Sequence, residues 1–209
     1  MYRARTVLAA VVAVASIAAS LVTASPQAVA AESGAEYCRL GITRWTYTIY
    51  TMHVRSSIPA SFNSSITSAM RQWSGIPGSA LRYYGPQFRS GVANPEYLLY
   101  LNNFANSGLP DVPGITLGVS GSSGTHRTAE VLLNSRFSWN TAGTMNQAQR
   151  RVDVWTIAVH EMGHASGLAH PYSNCGPVTA AERASVMYVN WTRKRVPNSD
   201  DRAGIAAIY

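Results

Sequence analysis

Between residues 160 and 170 the chain reads His160-Glu161-Met162-Gly163-His164-Ala165-Ser166-Gly167-Leu168-Ala169-His170. Residues four apart on a helix share a face, so His160 and His164 can offer two imidazoles to one metal ion. Gly167 can take a left-handed backbone conformation, end the helix and turn the chain so that His170 brings a third imidazole to the same ion. Three neutral nitrogens leave a tetrahedral zinc one open position for water, which is the arrangement of a catalytic site. Glu161 points about a quarter turn away from the shared histidine face, so it reaches that water rather than the metal. As a general base it would take the proton during attack on a carbonyl and pass it to a leaving amine, while the metal polarises the carbonyl oxygen.

A bare H-E-x-x-H is short enough to arise by chance, and the bland reading is a set of satisfied core histidines. The added Gly167 and His170, on a helix of apolar character, favour the metal reading. Three of the five histidines of the chain fall in this stretch. His53 and His126 read as ordinary polar residues on a strand end and a loop, His126 being the better placed of the two to touch metal or substrate.

Several elements must position these groups. Trp45 to Tyr50 is dense in aromatic and β-branched residues and predicts a first strand. Pro59-Ala60-Ser61 opens a segment in which Phe62, Ile66, Ala69, Met70 and Trp73 fall at helical spacing, stopped by Gly75 and Pro77. Ala80 to Tyr84 and Glu96 to Leu101 read as short strands, separated by the turn residues Gly85-Pro86 and Asn94-Pro95. Residues 102–124 are rich in Gly, Ser, Asn and Pro, and predict a long loop system with one brief strand at Ile115 to Val119, at a sheet edge. Ala129 to Leu133 predicts another strand, and 134–143 a polar turn region. From Asn146 to about Ser166 the pattern is helical, with Val152, Trp155, Ile157, Ala158, Val159 and Met162 making an apolar, interior helix. A last helix takes Ser199 as N-cap and Asp200 and Asp201 in its first turn, and turns Ile205 and Ile208 to the core.

Arg3 and Arg5 precede an apolar and small-residue run from Val7 to Val22, followed by Ala28-Val29-Ala30-Ala31. This pattern predicts a secretory signal peptide over residues 1–31, cleaved near Ala30 or Ala31, and a product outside the cell. No later stretch is apolar enough to span a bilayer, so no membrane attachment is expected after cleavage. Residues 32–209 suit a single domain. The formal net charge is +7, two units of it from Arg3 and Arg5. The remaining basic residues are scattered except for Arg193-Lys194-Arg195, which points to a solvated surface and to no nucleic-acid partner. In an exported chain two cysteines read as one disulfide, Cys38 to Cys175; the rival reading makes Cys38 a thiolate that caps the metal and keeps the protein latent.

The string His160-Glu161-x-x-His164-x-x-Gly167-x-x-His170 resembles the elongated zinc motif of the metzincin metalloproteases, whose second mark is a methionine turn below the metal. Ser185-Val186-Met187-Tyr188 resembles that turn, which implies that Met187 forms an apolar floor under the imidazoles. Within the clan the chain is most similar to the matrixin catalytic domain: Trp45 to Tyr50 resembles its first strand, the helix ending at Trp73 its first helix, and Asp200-Asp201-x-x-Gly204-Ile205-x-x-Ile208-Tyr209 its last. The resemblance implies an α+β, zincin-like fold. Such a fold has a twisted, mostly parallel sheet with an antiparallel edge strand, two main helices, and a small C-terminal subdomain carrying a further helix.

It further implies one catalytic Zn2+ and a protein or peptide substrate lying extended along the edge strand at Leu117, Gly118 and Val119. Val189, Asn190 and Trp191 would wall the pocket next to the scissile bond. The chain departs from the family in several places. Tyr37-Cys38-Arg39-Leu40-Gly41 is a poor match to its cysteine switch, and no propeptide fits before the first strand. Pro171 follows the third histidine where matrixins usually have serine. Acidic and histidine residues are sparse between Asn102 and Leu133, which leaves a structural calcium or second zinc unsupported. Tyr188 directly follows Met187, out of register for a tyrosine ligand. The expected activity is a secreted, monomeric zinc endopeptidase acting on extracellular proteins. The alternative is a non-catalytic or narrow-specificity zinc protein whose substrate is a non-protein amide or a short cell-wall peptide.

Overall fold

The computed structural model describes residues 10–11, 44–120, 125–171 and 177–209. Its elements, in chain order, are β1 (Ala10–Val11), β2 (Arg44–Trp45), β3 (Ile49–Val54), a 3-10 turn (Ala60–Phe62), α1 (Asn63–Gln72), β4 (Arg82–Phe88), β5 (Tyr97–Asn102), β6 (Gly114–Ser120), β7 (Thr125–Asn134), β8 (Ser138–Asn140), β9 (Arg151–Asp153), α2 (Val154–Ala165), α3 (Ala180–Ala184) and α4 (Ser199–Ile208). The main sheet runs β4-β3-β5-β7-β6, with β1 on the far side of β6 and β2 also on β7. Strands β3, β4, β5 and β7 pair in parallel, and β6 runs antiparallel to β7. This is the α+β arrangement that the resemblance implies.

Burial explains the sequence of each strand. In β3 the even positions Tyr50, Met52 and Val54 are buried and the odd ones are not, the period-two signature of a strand with one covered face. In β5, Tyr97, Leu98 and Leu99 are all buried, as a central strand covered on both faces requires. One face carries α1 and α2, with Ile66, Met70, Trp73, Val159 and Met162 in the main core. A smaller cluster of Phe104, Val112, Ile115 and Leu132 is packed by Tyr100, Leu109 and Leu117.

Several boundaries differ from the sequence-based expectation. The first strand is divided: β2 pairs with β7, and β3 with β4 and β5. Between them the backbone N–H of Tyr47 donates to the Tyr50 hydroxyl (2.8 Å), so the chain bonds back onto β3 there, while the Thr48 carbonyl already accepts from the Arg82 N–H of β4 (2.6 Å). Trp45 turns inward against Tyr50 and Tyr97, with ring centroids at 4.1 and 5.7 Å. Gly85-Pro86, expected as a turn, lies inside β4. There Gly85 has φ +95° and the register against β3 slips between Thr51 and His53; an edge strand absorbs such a bulge without ending.

The helix expected from Asn146 begins only at Val154. Arg151–Asp153 are taken by β9, which pairs in parallel with β8 inside the region expected to be turns. Asp153 then caps α2: its Oδ2 accepts from the Thr156 backbone N–H at 2.9 Å and from the Thr156 hydroxyl at 2.8 Å. The last helix is capped by Asn198, one residue before the expected Ser199, in a reciprocal capping box with Asp201. Helix α3, which the pattern did not suggest, carries the same device between Thr179 and Glu182. Among the described residues no helix is long and apolar enough to cross a membrane. Cys38 and Cys175, and hence the expected disulfide, lie outside the described residues, as does most of the expected signal peptide.

Candidate active site

Helix α2 is buried along nearly all its length. Its C-terminus closes by a Schellman motif: the N–H of Leu168 donates to the Gly163 carbonyl (3.0 Å) and that of Gly167 to the His164 carbonyl (2.9 Å). Gly167 takes the φ of +98° that this turn demands. The chain leaves the helix folded back on itself, so His170 returns to His160 and His164. Ser166 secures the same end, donating to the Met162 carbonyl (2.8 Å) while its hydroxyl lies 2.9 Å from the Tyr83 hydroxyl, which accepts from the Trp45 indole N–H (2.8 Å).

The three imidazoles are all buried and converge: His170 Nε2 lies 3.1 Å from His160 Nε2 and 3.0 Å from His164 Nε2. His160 Nδ1 donates to the Val186 carbonyl and His164 Nδ1 to the Leu168 carbonyl, both at 2.8 Å. Those bonds fix the tautomers, so each Nε2 turns a lone pair to the centre. His170 Nε2 carries at most one proton, which cannot point at both. A cation at the centre serves all three. Nitrogens about 2.0–2.1 Å from a tetrahedral zinc stand about 3.3 Å from one another, close to these separations, so the donor set fits zinc. Burial lowers the pKa of His160 to about 4, the Lys194 charge adding to it, and burial with the His160 charge takes His170 to about 3. Burial likewise holds His164 well below its ordinary value. The rings therefore stand neutral, as ligands must.

Val186 belongs to the turn that carries Met187, and that turn is held from α4. The carboxylate of Asp201 accepts from the Val186 N–H (3.0 Å) and from the Ser185 hydroxyl, which itself accepts from the Met187 N–H (2.8 Å). Burial raises the Asp201 pKa, with these bonds opposing it. Lys194 Nζ donates to the carbonyls of Arg183 (2.6 Å), Ser185 (2.9 Å) and Tyr188 (3.2 Å), tying the turn to the segment beyond it. Met187 is buried, and its sulfur would lie 2.3 Å from a Cβ placed on Gly163. It therefore packs directly on the turn of α2 between the two histidines.

Glu161 is 3% exposed and lies beside the histidines without joining their cluster. Its Oε2 is 2.9 Å from the Thr116 hydroxyl of β6, which also lies 2.8 Å from the Glu161 carbonyl. Burial pushes its carboxyl up to about 8, with the Thr116 hydrogen bond opposing the shift. His160 and Glu161 open onto a cavity of about 380 Å3 walled by Leu109, Val112 and Gly114 on one side and by Val189, Asn190 and Trp191 on the other. Leu117, Gly118 and Val119 lie on β6, and Leu117 and Gly118 are not among the described residues that line this cavity. The outer edge of β6 pairs antiparallel with Ala10 and Val11, opposite Gly118 and Leu117. His53 lies on β3, with Nδ1 2.8 Å from the Ser90 hydroxyl; His126 contributes backbone pairing to β2 and β6.

Thr116, Gly114, Lys194 and Asp201 were not singled out for these contacts by the sequence. Thr116 meets Glu161 across 45 residues and Asp201 meets Val186 across 15; for β6 the available signal was the alternation Gly114-x-Thr116-x-Gly118, which puts small and polar groups on one face of the strand.

The matrixin family model matches residues 41–209. No curated protein matches the chain. Among solved structures, "Structure of myroilysin" is similar at 13% identity and a TM-score of 0.45, covering 82% of this chain and 97% of that one. "Crystal structure of myroilysin" gives 14% identity and a TM-score of 0.47, with 87% and 94% covered.

Proposed function

The chain belongs to the matrixin family of metalloproteases, and from that premise we propose that it is a secreted zinc-dependent endopeptidase that hydrolyses peptide bonds of extracellular proteins. The observation that carries this reading is the convergence of three buried, neutral imidazoles beside a separately held carboxylate at the mouth of a cavity. His160, His164 and His170 would hold the ion. Zinc bound there supplies a Lewis acid for the scissile carbonyl and the attacking water. A cation held by the three histidines would favour the ionised form of the Glu161 carboxyl that burial alone opposes, and the carboxylate would then take the proton of that water and return it to the departing amine. An extended substrate pairs with the outer edge of β6 around Leu117, Gly118 and Val119, a mode supported by the antiparallel pairing of Ala10–Val11 at Leu117 and Gly118. Its side chain after the scissile bond enters the cavity between Leu109, Val112 and Trp191. Met187 supports the histidines from below.

The same reading takes residues 1–31 as a signal peptide, 32–209 as one catalytic domain and Cys38–Cys175 as a disulfide. N-terminal sequencing of the secreted protein and a gain of two hydrogens in intact mass on reduction test these points. For the activity itself, the purified mature protein is incubated with casein or gelatin, beside Glu161→Ala and a chelator-treated sample. Cleavage is expected from the wild type alone, with Glu161→Ala slower by a factor of about 100 or more and zinc restoring the chelated sample. Undiminished cleavage by Glu161→Ala would refute the mechanism. A wild type that cleaves no protein but a short cell-wall peptide would move the reading to the narrow-specificity alternative.

A further inference from the structure

We propose that Thr116 is a positioning residue for Glu161, its hydroxyl fixing the carboxylate against β6 in the space that Gly114 leaves open. The inference rests on the reading of Glu161 as the general base. Strand β6 alternates: Ile115 and Leu117 turn to the cluster of Phe104, Val112 and Leu132, so Gly114 and Thr116 turn to α2. Thr116 is 5% exposed, and a buried hydroxyl must find partners inside the protein. Among the described residues it finds them at Glu161, its O–H lying 2.9 Å from Oε2 and 2.8 Å from the backbone carbonyl. The side chain and the helix turn that bears it are thus tied to one atom of the sheet.

Gly114 completes the seat. A Cβ there would lie 2.9 Å from Glu161 Cγ and from Ile157 Cγ2, and 3.0 Å from Glu161 Oε1, so any larger residue would push the carboxyl away. With Oε2 tethered to Thr116 and Oε1 lodged over Gly114, both carboxyl oxygens are placed from β6. A base held in place in advance does not lose time or free energy searching for the attacking water. The strand proposed to align the substrate backbone is also the strand that sets the base, so one element fixes two of the reacting partners relative to each other.

Thr116→Val keeps the shape of the side chain and removes its hydrogen bonds, and Thr116→Ser keeps the hydroxyl. With zinc-loaded protein and a cleaved peptide, Thr116→Val is expected to lower kcat about ten- to a hundredfold with KM within about twofold. Thr116→Ser is expected to recover most of the loss. In a Glu161→Gln background the Thr116→Val change should cost nothing further, because the group it positions is gone. The carboxyl carbon resonance of Glu161 in 13C-glutamate-labelled protein, assigned by its loss in Glu161→Gln, should move in Thr116→Val and return in Thr116→Ser. The proposal is overturned if Thr116→Val keeps wild-type kcat, if Thr116→Ser falls as far as the valine variant, if the double variant is slower than Glu161→Gln, or if the resonance stays in place. Should the wild type cleave no peptide at all, the reading of the enzyme falls, and the resonance still decides whether Thr116 holds Glu161.

Discussion

Gly163 sits in the middle of a buried helix, where glycine costs about 1 kcal/mol relative to alanine. Contact explains it. A Cβ at this position would come 2.3 Å from Met187 Sδ and 2.9 Å from Trp73 Cζ2, so the bare backbone is what lets the sulfur and the indole lie flush on α2. Replacing Gly163 by alanine is expected to lower stability by about 1–3 kcal/mol through overpacking, more than the gain in helix propensity. Urea denaturation of the zinc-loaded protein measures this, and an alanine variant as stable as the wild type would contradict it. The convergence of His160, His164 and His170 was legible in the sequence because all three lie within eleven residues and answer to local helix and turn geometry. Gly163 was not, since its partners Trp73 and Met187 come from elsewhere in the chain. The same holds for Thr116, whose meeting with Glu161 depends on where β6 crosses α2.

Helix α2 can present its histidines only if its start is fixed, and Asp153 fixes it. The carboxylate caps Thr156 and is gripped by Arg195 at both oxygens (2.7 and 2.9 Å), while the Gly143 N–H donates to Oδ1 (3.1 Å). Burial would raise its pKa, but the bonds from Arg195 and Thr156 outweigh burial and hold it below the ordinary 3.8. A carboxyl whose folded pKa is depressed contributes stability above its unfolded pKa and loses it as pH falls through the folded one. Asp153→Asn is therefore expected to cost about 2–4 kcal/mol at neutral pH, with the gap to the wild type narrowing below pH 3.8. Denaturation curves over a pH series test this, and a gap that widens on acidification would contradict it. Here the sequence was only partly legible. The apolar run from Val152 to Met162 reads as helix whether or not its first residues pair with β8, and β8 is three residues long. Gly85-Pro86 reads as a turn because nothing in the local sequence announces a bulge inside β4. The amphipathic spacing of α1 and the acidic first turn of α4 were read correctly because both are local and periodic.

Across the whole molecule, the metal centre is tied to the distant end of the chain. Asp201 of α4 holds the turn at Val186, the Val186 carbonyl holds the His160 ring, and α4 starts from its Asn198 cap. The C-terminal helix is thus coupled to the three nitrogens. An ion that binds only the folded state adds its binding free energy to stability. Chelation is expected to lower the melting temperature by roughly 5–15 °C, with zinc restoring it and with His160→Ala insensitive to the chelator; a melting curve indifferent to chelator in the wild type would contradict this coupling. The sheet order was open to sequence reasoning only through the resemblance to a family, because strand pairing joins residues far apart and leaves little mark on either partner alone. The most direct test of the account is X-ray absorption at the zinc edge of the purified, folded protein. One zinc per chain with three nitrogen neighbours at about 2.0–2.1 Å and no sulfur is the expected result; a folded protein that takes up no zinc, or one whose zinc carries a sulfur ligand, would contradict it.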